Sequence, residues 1–325
     1  MGWLTNWTYR KPITISNSNG NLSNFQVNAL IDTQTLINQG KLLASGNDIR
    51  FTDSDGSTLL SFWYQSGINT NSTSYWVQVP SLSSGSYTIY VYYGNNGASN
   101  LSSIGNTFIY GDDFSVNTIA NYTIGNQGGD NVSVDTVNKW MLFTGNNSHN
   151  LVASPTTQTN PASYVVESEI STDNLTTDMI GGILGFKSTL TGGDGYVAQI
   201  GNVSSFGNSI DIEKYTVAHL AHTGVTINTN TFYPVKGTFV NANITATFNN
   251  VTSVNTNDTT YISGMYGMRT FNPSTHNVKF QNFRVRAYAS SDPTVSIGSE
   301  QTQGTTIDSS VTTAVFVPVF KIIGY

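Results

Sequence analysis

The sequence predicts an all-β protein: two β-sandwich, jelly-roll-like domains in tandem, followed by a C-terminal β-strand tail. Three observations carry the prediction. The 325 residues include 30 glycines, 17 tyrosines and 16 phenylalanines, a composition of pleat-forming aromatics and turn formers. Apolar and polar residues alternate in short runs, and Ser, Asn, Gly and Asp cluster between those runs. The length exceeds one average domain and suits two, divided at 1–110, 111–290 and 291–325.

The elements follow in order. YRKPITISNS alternates on Ile13 and Ile15, and SNGN supplies a turn. FQVNALID alternates on Phe25, Val27 and Ala29. A short helix is expected around residues 35–43, then a hairpin in NDIRFTDSDGSTLLSFWYQ that turns at Asp55 and Gly56. SYWVQVPSL and GSYTIYVYYGN complete the first set, and residues 87–93, apolar on both faces, suit a buried central strand. The second set runs through GDDFSVN, KWMLFTG, SYVVESEIST, GGILGFKS, GDGYVAQIGN, SIDIEKY, NITATFNNVTSVN, SGMYGMRTFN and VKFQNFRVRAY. In SIDIEKY, alternation puts Ile210 and Ile212 on one face and Ser209, Asp211, Glu213 and Tyr215 on the other. DPTVSIGSEQ reads as a short closing strand and TQGTTIDSSVTT as polar linker.

Residues 314–325, AVFVPVFKIIGY, are apolar and β-prone but too short to span a bilayer. An exposed strand of this kind aggregates unless it is used. Val315, Phe316, Val317, Val319, Phe320, Ile322 and Ile323 are therefore expected either to close the chain's own sheet or to insert into a second copy or a neighbouring capsid or filament subunit.

Charge narrows the function classes. Lys and Arg number 13 and Asp and Glu 19, only 10% of residues, for a net charge of −6. Without basic clusters, nucleic acid is not an expected partner. A surface kept wet by neutral polar groups changes little when carboxylates protonate, which suits an acidic extracellular setting. Cysteine is absent, so the chain has no disulfides and no thiolate site. Twelve N-x-S/T sequons start at Asn6, Asn21, Asn71, Asn100, Asn121, Asn131, Asn146, Asn174, Asn202, Asn243, Asn250 and Asn257. Composition alone accounts for most of them, and they are candidate glycosylation sites. MGWLTNWTYRKPITI lacks the basic and apolar regions of a signal peptide, and no run of 18 apolar residues exists. The expected location is extracellular, on a virion or cell surface.

The ordered series YRKPITI, DIRFTDSDG, FWYQSG, YWVQVPSL and YTIYVYYGN, within residues 7–97, resembles the domain of unknown function 2341. The resemblance implies an extracellular β-sandwich with no assigned catalytic residue. YVVESEI, GGILGF, the Gly264, Gly267 and Arg269 pattern, and Asn282-Phe283-Arg284-Val285 resemble the concanavalin A-like, laminin-G-like jelly-roll superfamily. That resemblance implies a fold and leaves the function open.

SIDIEKY also resembles the E-I-D-I-E strand of laminarinase-type glycosidases, in which two glutamates flank an aspartate on one face. Retaining hydrolysis needs a carboxylate nucleophile and a carboxyl acid/base. Here Ser209 stands at the nucleophile position, with Asp211 and Glu213 matching the other two. A serine without a base cannot stabilise an oxocarbenium-like centre, so catalytic residues are expected to be none. Asp53 and Asp55 in TDSDG read as a hairpin turn; a calcium loop would need a glutamate where Tyr64 stands. Asp112 and Asp113 are the candidates for a structural calcium, and no other cofactor is implied. His219 and His222 are expected on opposite strand faces, which disfavours a metal pair; His149 and His276 stand alone. Trp3, Trp7, Trp63, Trp76, Trp140 and the tyrosines of residues 90–93 supply sandwich core or stack sugars.

These readings converge on a non-catalytic, glycosylated exterior protein that assembles with itself and contacts host glycans. The spike or turret of an archaeal virion leads, a filament or surface-layer adhesin is the near alternative, and a glycan-active enzyme is the reading from another class.

Overall fold

The computed structural model describes residues 2–125, 130–145, 149–176, 179–189, 194–272 and 276–304. It is an all-β protein of two sandwiches. In the first, Tyr9–Asn17 pairs antiparallel along its whole length with Gly85–Tyr93, which in turn pairs with Arg50–Thr52. The aromatic strand is thus central, as its two apolar faces require. The opposing sheet contains Leu22–Ile31, Thr73–Leu82 and Phe62–Ser66. Ile13, Ile15, Phe25, Val27, Ile89 and Val91 fill the space between the sheets. On the outer face the guanidinium of Arg10 lies 4.3 Å from the ring centre of Trp3 and 4.2 Å from that of Tyr90.

The expected helix forms as Thr33–Asn38, where Asp32 caps it by accepting from the Thr35 amide. The hairpin turns at Asp55, whose carboxylate accepts the amides of Ser57 and Thr58 and the Thr58 hydroxyl. These bonds hold its pKa down to about 2, so the carboxylate is bound to the turn in its charged form.

Residues 294–302 were expected in the tail, but they belong with the first sandwich. Thr294–Ile297 and Gln301–Thr302 pair antiparallel with Tyr9–Asn17, Ile13 lying opposite Ile297. The pairing covers an otherwise open strand edge and packs Val295 and Ile297 against the core. Residues 305–325, with all seven proposed assembly residues, lie outside the described part of the chain.

The second sandwich pairs an eight-stranded sheet with a seven-stranded one. The larger is centred on Ser163–Thr172, flanked by His276–Ala287 and Tyr233–Val240. The smaller runs in the order Ala218–Gly224, Gly207–Lys214, Tyr196–Val203, Met179–Lys187, Met265–Asn272, His149–Pro155, Tyr122–Gly125. Ile183, Ile210, Ile212, Phe239, Phe280 and Val285 are wholly buried between the sheets. A Cβ at Gly185 would come within 2.5 Å of the Phe239 ring, so GGILGF owes its glycine there to close sheet contact. Among the described residues no helix is long and apolar enough to cross a membrane.

Candidate functional site

The Gly207–Lys214 strand turns Ile210 and Ile212 into the core, so period-two alternation sends Ser209, Asp211 and Glu213 to the outer face of the seven-stranded sheet. That face is covered: the three are 1%, 1% and 7% exposed. Arg269, on the Met265–Asn272 strand three places along the same sheet, organises it. Arg269 Nη1 donates to Glu213 Oε2 at 2.5 Å and to Gln199 Oε1 at 2.6 Å, and its Nε donates to Asn150 Oδ1 at 2.7 Å. Its guanidinium also lies 5.1 Å from the ring centre of Tyr215 and 5.7 Å from that of Phe271. Beneath, Tyr215 packs with Val152, Leu184 and Val197, and Lys187 Nζ sits 3.8 Å from the Tyr215 ring centre while paired to Asp194 at 2.8 Å.

The pKa values of the two carboxyls are shifted in opposite directions. Burial pushes Glu213 up, but the Arg269 charge and the hydrogen bonds from the Thr216 amide and Arg269 outweigh it, leaving its pKa below the ordinary value. Burial pushes Asp211 up more than its hydrogen bonds pull it down, so its pKa is raised. Asp211 Oδ2 accepts from Gln199 Nε2 at 2.7 Å and lies 2.7 Å from His219 Nδ1, while Oδ1 is buried without a protein partner. Ser209 Oγ is likewise buried and bonded to no base.

His219 and His222 do not point to opposite faces. The register shifts between Ile212 and Glu213: Asp211 lies opposite His222 and Glu213 opposite His219. This bulge, one extra residue in the strand, brings both imidazoles to the carboxyl face. There they flank Phe206, His222 stacked at 3.8 Å between ring centres and His219 edge-on at 5.1 Å. An open cleft of about 310 Å³ lies over the centre, lined by Asn150, Glu213, Thr216, His219, Arg269 and Phe271 among others.

The remaining predicted residues lie elsewhere. Asn6, Asn21, Asn71, Asn100, Asn121, Asn131, Asn243, Asn250 and Asn257 are exposed, Asn174 and Asn202 are half-buried, and Asn146 is outside the described residues. Asp112 spends its oxygens internally, accepting from the Phe114 amide, the Thr118 hydroxyl and the Tyr122 hydroxyl, while Asp113 accepts from the Ser115 amide. Among the described residues no group of three or more His, Asp or Glu is placed to hold a metal ion. Trp63 is buried against Phe108, and Trp7 donates to the Asp48 carbonyl; both serve packing. Gln199, Asn150, Phe206 and Phe271 escaped the sequence reading, although an arginine inside the otherwise uncharged MYGMRTFN signals a buried cation that needs a carboxylate.

Comparisons with known proteins add the following. No curated protein matches. Among solved structures, carbohydrate binding module CBM66 from Bacillus subtilis covers 52% of this chain and 98% of its own, at 14% identity and TM-score 0.43. A Bacillus subtilis protein of unknown function with a galectin-like fold covers 55% and 95%, at 9% identity and TM-score 0.43. A xylan beta-1,4-xylosidase from Bacillus halodurans C-125 covers 55% and 39%, at 12% identity and TM-score 0.43. Over residues 45–141, beginning downstream of YRKPITI and ending inside the second sandwich, the chain resembles the family described as Domain of unknown function (DUF2341).

Proposed function

We propose that the chain is a non-catalytic extracellular surface protein that binds neutral saccharides in the cleft over Arg269. The observation that carries the proposal is the buried Glu213–Arg269 pair at 2.5 Å. A glycosidase acid must hold a proton near neutral pH, which takes a raised pKa; Arg269 does the reverse to Glu213. The hydroxyl of Ser209 occupies the nucleophile position, with no base bonded to it. Because Arg269 cancels the Glu213 charge, the cleft suits an uncharged polyhydroxylated ligand. Asn150, Thr216 and Arg269 supply hydrogen-bonding groups, and Phe271 supplies apolar ring surface for a sugar's C–H face.

The finer setting is a glycosylated spike or turret of an archaeal virion, or an adhesin of a filament or surface layer, joined to its neighbours through residues 314–325. Scarce charge, exposed sequons and that apolar stretch support it. Peptide mass spectrometry of native protein should find hexose at several exposed sequons, and purification from particles or from cell envelopes separates the two settings.

The decisive experiment is calorimetric titration with a panel of neutral oligosaccharides, paired with a reducing-sugar assay on β-glucans. Binding should occur, weaken at least tenfold in Phe271→Ala, and release no sugar. Absence of binding across the panel refutes the binding half. Sugar release that disappears in Glu213→Gln refutes the non-catalytic half.

A further inference from the structure

A second cleft, of about 420 Å³, opens where the two sandwiches meet. One wall comes from the first sandwich: Asn28, Gln65 and Trp76. The other comes from the second: Glu169, Lys236 and Arg284. The first wall is a preset polar array. Trp76 Nε1 donates to Gln65 Oε1 at 2.8 Å, and Asn28 Nδ2 donates to Ser74 Oγ at 2.8 Å. Trp76 is half-buried, its ring centre 5.4 Å from the Arg284 guanidinium, so a neighbouring cation stiffens an aromatic plate at the cleft.

The charges on the second wall divide into a closed set and an open set. Glu167 is saturated, 2.7 Å from Arg284 Nη2 and 3.0 Å from Arg286 Nε, and Arg286 is further tied to Asp292 at 3.0 Å. Lys236 and Glu169 are not matched in this way. Lys236 lies across the strand pair from Glu167, yet among the described residues its ammonium has no ion-pair partner. Among the described residues Glu169 accepts only long bonds from neutral amides, 3.4 Å from Gln65 and 3.2 Å from Asn282. A lysine that acts on Glu167 at a distance without pairing directly, a carboxylate with long amide bonds, amides and an indole therefore face a single cavity.

We propose that this junction cleft binds an acidic saccharide unit, its carboxylate on Lys236, its hydroxyls on Glu169, Gln65 and Asn28, and its ring beside Trp76. The site is distinct from the cleft over Arg269, where the one carboxylate and the one guanidinium are bonded to each other, so the two proposals stand or fall apart. A ligand held here touches both sandwiches at once, through one hydrogen-bonding wall from each.

The test uses the full chain titrated with oligogalacturonate and with neutral oligosaccharides of equal length. The acidic ligand should bind, with affinity falling as salt rises, and Lys236→Gln should weaken it at least tenfold while leaving any neutral-sugar binding unchanged. Trp76→Phe, which keeps an aromatic plate, should retain most of the affinity, whereas Gln65→Ala should lose several-fold. Three results overturn the proposal: no acidic-sugar binding by the folded protein, equal affinity in Lys236→Gln, or loss of binding on Phe271→Ala instead, which would move the ligand to the other cleft.

Discussion

Arg269 and Glu213 are worth most as a pair. Stripping one partner from a buried ion pair leaves an uncompensated charge at a cost of about 3–5 kcal/mol, whereas replacing both costs little. Arg269→Met should therefore destabilise the protein by that amount in denaturant unfolding, and Arg269→Met with Glu213→Gln should recover most of it. Strictly additive losses would deny the coupling. Glu167 makes the corresponding pH argument. Burial raises its pKa, but Arg284 and Arg286 outweigh burial and bring it from 4.5 down to about 2. A depressed pKa adds stability that is complete above the unfolded value and is lost as pH falls through the folded one, here roughly 3 kcal/mol lost between about pH 4.5 and 2. Asp112 and Asp211, both raised by burial, act with the opposite sign: they favour the fold at low pH and lose that contribution as pH rises through their folded values. Melting temperature should thus change little from about pH 7 to 4.5 and fall steeply below about pH 3, and Glu167→Gln should flatten the acid limb. A steep fall already at about pH 5 would show that another group governs acid unfolding. At this scale the sequence was half legible. Alternation placed Ser209, Asp211 and Glu213 on one face, but only the folded sheet reveals which of three strands delivers Arg269, Gln199 and Asn150 to them.

Strands were the most legible elements because each announces its buried face in its own residues. Ile13 and Ile15, or Ile210 and Ile212, needed no partner to be read. Two features failed that local reading. The bulge opposite Ile212 and Glu213 inserts one residue into a strand whose own sequence, AHLAHTG, looks regular; the extra residue is visible only against its partner, and it reverses the predicted placement of the histidines. The Thr294–Ile297 strand adds to an edge formed about 280 residues earlier (Ile13 opposite Ile297), and no local pattern encodes such a return. Truncation tests its weight. Stopping after Gly304 should leave the melting temperature unchanged to about 2 °C, since every described strand survives. Stopping after Ala289 should uncover the Tyr9–Asn17 edge, lower the melting temperature by many degrees and promote aggregation. Equal stability of the two truncations would make the returning strand dispensable.

At the scale of the molecule, the junction between the sandwiches behaves as a third core. Arg284 leaves the eight-stranded sheet of the second sandwich to lie 5.7, 5.4 and 5.8 Å from the ring centres of Trp63, Trp76 and Phe108, and Glu167 holds it there at 2.7 Å. The Gln26 side chain accepts the Ala287 amide at 3.0 Å, while Glu300, beyond the second sandwich in sequence, returns to pair with Lys41 at 2.5 Å and to accept from Tyr93 at 2.7 Å. Loosely tethered modules would melt separately; the Arg284 and Gln26 contacts make separation expose a buried cation and two tryptophans together. The unmodified chain should therefore unfold in one calorimetric transition, its calorimetric and van't Hoff enthalpies equal. Arg284→Ala removes the bridge, yet Glu167 keeps Arg286 at 3.0 Å, so each sandwich retains its own core. That variant should show two resolved transitions, the first-sandwich one lower. A single transition in both proteins would place the coupling in the shared backbone strands and not in the arginine.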